Sequence, residues 1–165
     1  MVTNVGVSPG PRKIAPPDDV RERSALRRVD YQDAFTVRLG DGVSSAEQWA
    51  RELLESAPVP VRAFLRAGWS MFGAQLGLAS SSAHVLGWKI GAREADWIRL
   101  EVLWKVGLRA NLVVRVRPDS LVVATFVEHF RHASRLVRLF LIPVHLVALR
   151  YLVSRAARCP PAMNR

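Results

Sequence analysis

The second half of this chain sets the terms for the rest. Residues 84–130 run as alternating β-type segments, and a long apolar helix pattern, 131–157, follows at once without a single acidic residue. A sheet with that alternation has an apolar face, and an apolar helix of that length needs an apolar surface to lie on. The pairing predicts a curved sheet closed around a helix, an arrangement that can hold a ligand between its layers.

The strand patterns are specific. In 96–105, Ile98, Leu100, Val102 and Trp104 face a core while Arg99, Glu101 and Lys105 face water. In 108–117, Leu108, Ala110, Leu112, Val114 and Val116 alternate with Arg109, Asn111, Arg115 and Arg117. Residues 84–90 read as one strand with a turn at 91–94, and 121–130 is apolar on both faces, as a central or doubly covered strand is. Upstream, 33–39 reads as a strand with Phe35, Val37 and Leu39 on one side, broken by Gly40-Asp41-Gly42. Ser44 and Glu47 have capping-box spacing and open a helix with Trp49, Leu53 and Ala57 on one face. Pro58-Val59-Pro60 ends it and starts a second, whose stripe is Val61, Leu65, Trp69, Phe72 and Leu76, with an end near Gly77; 78–82 reads as a loop. The expected class is therefore α+β, with about five to seven antiparallel strands, two helices between the first and second strands, and one sheet face covered by the C-terminal helix.

Half of the 165 residues are hydrophobic, enough for one well-packed domain, expected over 30–157. The net charge of +10 is unevenly placed: 30–130 carries eleven basic and eleven acidic groups, whereas 131–165 carries seven arginines and no acid. A neutral body with cationic ends does not make the broad basic face of a nucleic-acid binder, so no nucleic-acid partner is expected. Residues 1–29, with four of the ten prolines, read as a flexible basic tail, and 158–165 as a disordered one. One cysteine, Cys159, permits no internal disulfide, and the N-terminus shows no apolar signal region, so a cytoplasmic location is expected. The charge-free run 139–149 is eleven residues long and holds Pro143 and His145, short of the roughly 20 that a membrane span takes. Arginine supplies 21 of the 24 basic groups, a bias typical of GC-rich bacterial genomes.

The order of elements, together with Asp30-Tyr31-Gln32-Asp33-Ala34-Phe35, Ala46-Glu47-Gln48-Trp49-Ala50, Gly87-Trp88-Lys89-Ile90, Asp96-Trp97-Ile98-Arg99-Leu100-Glu101 and Asn111-Leu112-Val113-Val114-Arg115-Val116, resembles the helix-grip fold of the START and polyketide-cyclase (SRPBCC) superfamily. More narrowly, the chain is similar to a bacterial family of unknown function near that superfamily. The resemblance implies a helix-grip-like sheet with a hydrophobic cavity between it and the C-terminal helix. It brings no catalytic residues.

Few residues suggest chemistry. Glu128-His129-x-x-His132 is the one histidine cluster, but neighbours on a strand point to opposite faces, and no cysteine or second acidic cluster supports a zinc site; neither a metal nor a cofactor is expected. No Gly-x-Ser-x-Gly elbow or dinucleotide fingerprint is present. The candidate cavity residues are Trp88, Ile98, Leu100, Trp104, Leu112, Val114 and Phe126 from the sheet, with Phe140, Val144 and His145 from the helix. Glu128 shares parity with Val122, Ala124 and Phe126 and is a candidate inward-facing polar contact. His145 reads first as a satisfied core histidine and more sharply as a ligand contact. Trp97 opposes its strand's core set and is expected on the outer face. Arg131, Arg135 and Arg138 form a basic helix face. The expected function is binding of a small apolar molecule; the alternatives are docking on an anionic membrane surface or a protein through the basic helix, and a cyclase- or hydrolase-like enzyme on the same fold.

Overall fold

The computed structural model describes residues 10–40 and 44–161. Eight strands form one open, curved antiparallel sheet: β1 (Arg12–Ile14), β2 (Tyr31–Arg38), β3 (Ser80–Ser81), β4 (His84–Val85), β5 (Trp88–Arg93), β6 (Trp97–Trp104), β7 (Leu108–Val116) and β8 (Ser120–His129). Their order across the sheet is β1-β2-β8-β7-β6-β5-β4-β3. Four helices accompany them: α1 (Asp18–Arg21), α2 (Ala46–Leu54), α3 (Val59–Met71) and α4 (His132–Arg158). The class is α+β, as the alternation and the trailing helix predict. The strand number exceeds the expected five to seven. The two central helices, α2 and α3, follow the second strand rather than the first, because β1 adds a strand ahead of them.

The extra strands have local causes. Residues 84–90 do not make one strand, because Leu86 and Gly87 both take positive φ (47° and 93°) and form a two-residue turn. Positive φ at both central positions is the geometry of a tight hairpin turn, and only Gly87 takes it without a side-chain penalty. Leu86 is held there by burial (2% exposed), by its N–H donating to Glu55 Oε1 at 3.2 Å and by its C=O accepting from Arg66 at 3.2 Å. Residues 80–81, expected as loop, pair with 84–85 as the last hairpin of the sheet.

β8 is apolar on both sides because both sides are covered. Leu121, Val123, Thr125, Val127 and His129 face α2 and α4, while Val122, Ala124 and Phe126 face the other way into a second core with Val20, Ala34 and Val113. Residues 12–26 supply that second cover, with Ile14 and Leu26 packing beside Val20. They lie within the stretch expected as a flexible tail; its residues 1–9, like 162–165 of the expected C-terminal tail, fall outside the described residues, as do Asp41 and Gly42. Polar contacts pin this arm. The buried Asn111, expected to face water, accepts from the backbone N–H of Ala25 at 2.8 Å and from Ser24 Oγ at 3.4 Å. The Arg23 guanidinium stacks 4.6 Å over the ring of Trp97, on the outer face where that indole is expected. Asp19 bridges Arg117 at 2.8 Å and Arg115 at 3.6 Å.

On the inner face, α2 buries Trp49, Ala50, Leu53 and Leu54. Its capping box uses Ser45 with Gln48, one residue along from the expected Ser44 and Glu47. Both pairs have the right spacing, and Glu47 instead pairs with Arg51 and Arg93, each at 2.8 Å. α3 buries only Leu65 and ends at Met71, ahead of the expected stop near Gly77; Gly73, at φ 77°, turns the chain out of the helix. α4 begins and ends within one residue of its expected bounds and contains Pro143. Its C-terminal half buries Leu149, Leu152, Val153 and Ala156, and Arg155 ties it to α2 through Glu52, by an ion pair of 3.2 Å and a bond to the Glu52 carbonyl. No described helix is long and apolar enough to cross a membrane. The β6–β7 turn meets the start of α4: Gly107 (φ 89°) accepts from the N–H of Phe130 at 3.0 Å, and a Cβ at Gly107 would lie 2.5 Å from the Arg131 side chain.

Leu152 is 3% exposed at the α4–sheet contact. Leu152→Ala is expected to lower the unfolding free energy by about 2–5 kcal/mol, read as a lower urea midpoint with an unchanged slope.

Candidate functional site

Between the sheet and the α3–α4 pair the core does not close. A cavity of about 400 Å³ remains there, within the range of small-molecule sites (roughly 300–1,000 Å³). Its floor is Trp88, Trp104, Leu108, Ala110 and Leu112 on β5–β7 and Thr125, Val127 and His129 on β8; Leu65 and Trp69 of α3, with Phe72 just after it, form one wall, and Leu141, Ile142, Val144, His145, Ala148, Leu149 and Leu152 of α4 the other. Three indoles build one side, with Trp69 edge-on to Trp88 at 5.4 Å and Trp88 edge-on to Trp104 at 5.8 Å. Flat rings in T-shaped contact give a stiff apolar surface.

The cavity arises where the covering helices diverge. α2 and the C-terminal half of α4 lie close on the sheet and fill its inner face with Leu53, Val153 and Ala156. α3 offers one buried side chain and leaves Phe64 and Met71 exposed at the cavity's edge, with Val144 of α4 also lining it. The opening is therefore apolar on both lips.

One end of the cavity is polar. Tyr31 and Asp33 are two apart on β2 and share its inner face, and the Tyr31 hydroxyl donates to Asp33 Oδ2 at 2.6 Å. Thr125 is Asp33's cross-strand partner on β8. His145 comes down from α4 with Nε2 3.2 Å from Asp33 Oδ2 and 3.1 Å from Thr125 Oγ1. Asp33 is 1% exposed, and its Oδ1 has no hydrogen-bond partner among the described residues. Tyr31, Thr125 and His145 line the cavity, whereas Asp33 stands behind them. Such a buried carboxylate holds an imidazole in one orientation and one tautomer. The ring nitrogen facing Asp33 and Thr125 is Nε2; in the neutral ring that donates from Nε2, the other nitrogen, Nδ1, is an acceptor.

Of the expected cavity residues, Trp88, Trp104, Leu112, Val144 and His145 line the space. Ile98, Leu100 and Val114 are fully buried in the inner core but sit away from it, in the part that α2 fills. Phe126 is on the opposite sheet face, in the core under the N-terminal arm, and does not line the cavity. Glu128 shares its parity and with it the outer side; the parity is as read, but the set faces away from the helix. Phe140, Arg135 and Arg138 belong to α4, with side chains outside the described residues; Arg131 precedes the helix and is exposed. Among the described residues no group of three His, Cys, Asp or Glu could hold a metal ion. Asp33 and Tyr31 were not singled out by the sequence, although Asp33 is an acid on the same strand parity as Phe35 and Val37. An ionisable side chain on the core parity of an otherwise apolar strand is the signal that marks it.

Compared with known protein families, with curated proteins and with solved structures, the chain matches none.

Near this end of β8, Asp30 caps the strand. Partial burial pushes its carboxyl up, but the His129 backbone N–H (2.8 Å) and the Arg28 guanidinium (2.8 Å) together hold it below its usual value. Arg28 is raised in turn, first by its hydrogen bond to Asp30. A carboxyl depressed in the folded state stabilises above its unfolded pKa, and that contribution is lost as pH falls through the folded value. Asp30→Asn is therefore expected to be less stable than the native chain at about pH 7, with the gap closing once pH drops below roughly 3.9, as measured by urea unfolding across that range.

Proposed function

We propose that this protein is a helix-grip-like binding module that holds a small apolar molecule between its sheet and its C-terminal helix. The observation that carries the reading is the cavity of about 400 Å³ between β5–β8, α3 and α4, lined by aromatic and aliphatic side chains and open between two apolar lips. The chain order from β2 onward supports it: a strand, two helices, six strands and a long helix laid across the inner face, the arrangement that the helix-grip resemblance implies. Binding rests on burial, at about 25 cal/mol per Å² of apolar ligand surface, with a few polar contacts to orient the ligand.

A solvatochromic apolar dye such as Nile red is expected to bind the full chain with a blue-shifted emission. Ala148→Phe, which projects a ring into the cavity from α4, is expected to abolish that binding while leaving the circular dichroism spectrum unchanged. Unaltered dye binding in the variant would mean that the ligand site lies elsewhere.

A second reading, docking on a membrane surface, is favoured by the apolar side chains exposed on α3 and α4. Leu139, Val144 and Val147 of α4 and Phe64 and Met71 of α3 are between 46% and 74% exposed, with Arg131 exposed at the start of α4. Apolar groups beside cationic ones suit an anionic lipid surface. On this reading the chain sediments with phosphatidylserine vesicles, salt weakens the association, and Val147→Glu together with Met71→Glu removes it.

A further inference from the structure

We infer that the polar end of the cavity selects an uncharged ligand that carries a hydroxyl, an apolar alcohol or phenol, and rejects the corresponding carboxylate. The inference rests on the proposed binding function and adds the chemical class of the occupant. Its ground is the Tyr31–Asp33–His145–Thr125 cluster together with what the cavity lacks. No lysine or arginine is among the described residues that line the cavity. A fatty acid or other anionic amphiphile would meet no lysine or arginine among the described lining residues and would bring its charge toward Asp33, whose Oδ1 is already buried with no partner among the described residues. Two carboxylates sharing an apolar site oppose each other's ionisation and binding. A formal charge of either sign is costly against a lining of indoles and aliphatic groups.

At this end the site offers an imidazole and a hydroxyl. His145 Nε2 is committed to Asp33 Oδ2 and Thr125 Oγ1. In the neutral ring with Nε2 as the donor, Nδ1 is a lone-pair acceptor, on a residue that lines the cavity with one third of its side chain exposed. The Thr125 hydroxyl lies beside it and can both accept and donate. A ligand hydroxyl matches both, donating to the imidazole and accepting from the threonine. A hydrocarbon leaves the imidazole unpaired, and a carboxylate puts lone pairs against a lone pair. His145 is the contact residue, and Asp33 acts through it, as a positioning residue and as a fixed negative charge behind the contact.

The test is a titration of the full chain at about pH 8 with dodecan-1-ol and with sodium dodecanoate, both below their aggregation limits, followed by quenching of the cavity tryptophans. The alcohol is expected to bind tighter by roughly tenfold or more, the scale of one buried unsatisfied polar contact. Asp33→Asn, nearly the same shape without the charge, is expected to shrink that ratio by strengthening the acid. His145→Leu, at a partly exposed position, is expected to shrink it by weakening the alcohol. Equal or tighter binding of the acid by the native chain overturns the inference and leaves the binding function standing. A full preference retained in both variants also overturns it. If neither probe binds, the inference and the binding function are removed together.

Discussion

A central strand with two apolar faces has to be covered twice, and the rest of this fold follows from that requirement. β8 carries Val123 toward the inner core and Phe126 toward the outer one, each almost completely buried. The inner cover is α2 and α4. The outer cover is a short arm, 12–26, that has no long helix of its own and depends on Val20, the Asn111 side chain and the Arg23–Trp97 stack to stay in place. The sheet consequently has no broad wet face, although the chain devotes only one long helix and one full-length amphipathic helix to covering it.

That division of labour also leaves the cavity. The side chains of α2 and the far half of α4 meet over β2, β6 and β7 and exclude free space. α3 buries Leu65 alone, with Val61 and Trp69 only partly covered, and does not complete the layer. The volume beneath it is bounded by large rigid groups, three indoles and the phenylalanine Phe72, that do not collapse into a gap as a flexible methionine would. A polar cluster can survive at the edge of this space because β2 and β8 put Asp33 and Thr125 directly opposite each other, and α4 brings His145 within reach of both.

Much of this was legible. The bounds of β6, β7, β8 and α4 fall within a residue or two of those read from alternation and from the absence of acids, because long periodic segments with one buried face leave little freedom in register. The arm was not legible. Its apolar content is Ile14, Val20 and Leu26, spaced irregularly among prolines and charges, and nothing local shows that a second sheet face awaits them. The same blindness misplaced Phe126 and Glu128: when both faces of a strand are apolar, parity separates two sets but does not say which faces the helix. Of the nine expected lining residues whose side chains are described, five reach the cavity, since alternation identifies the inner face of the sheet but not which stretch of it the helices leave uncovered. Of the polar cluster only His145 is legible in the sequence, and the reason is different. Its members are single, ordinary residues, 31, 33, 125 and 145, brought together by strand pairing and helix docking, and no spacing along the chain encodes that meeting.

Gly107 has a bearing on how this architecture can vary. Turns are usually where chains tolerate exchange and lengthening, yet the β6–β7 turn is pressed against the origin of α4, with no room for even a methyl group before the Arg131 side chain and with its carbonyl already engaged by Phe130. The point at which the long helix departs is thereby dictated by a distant hairpin. Diversification that reshapes the binding space would have to be concentrated in α3 and its flanking segments, because a longer tip on this hairpin would displace the whole roof.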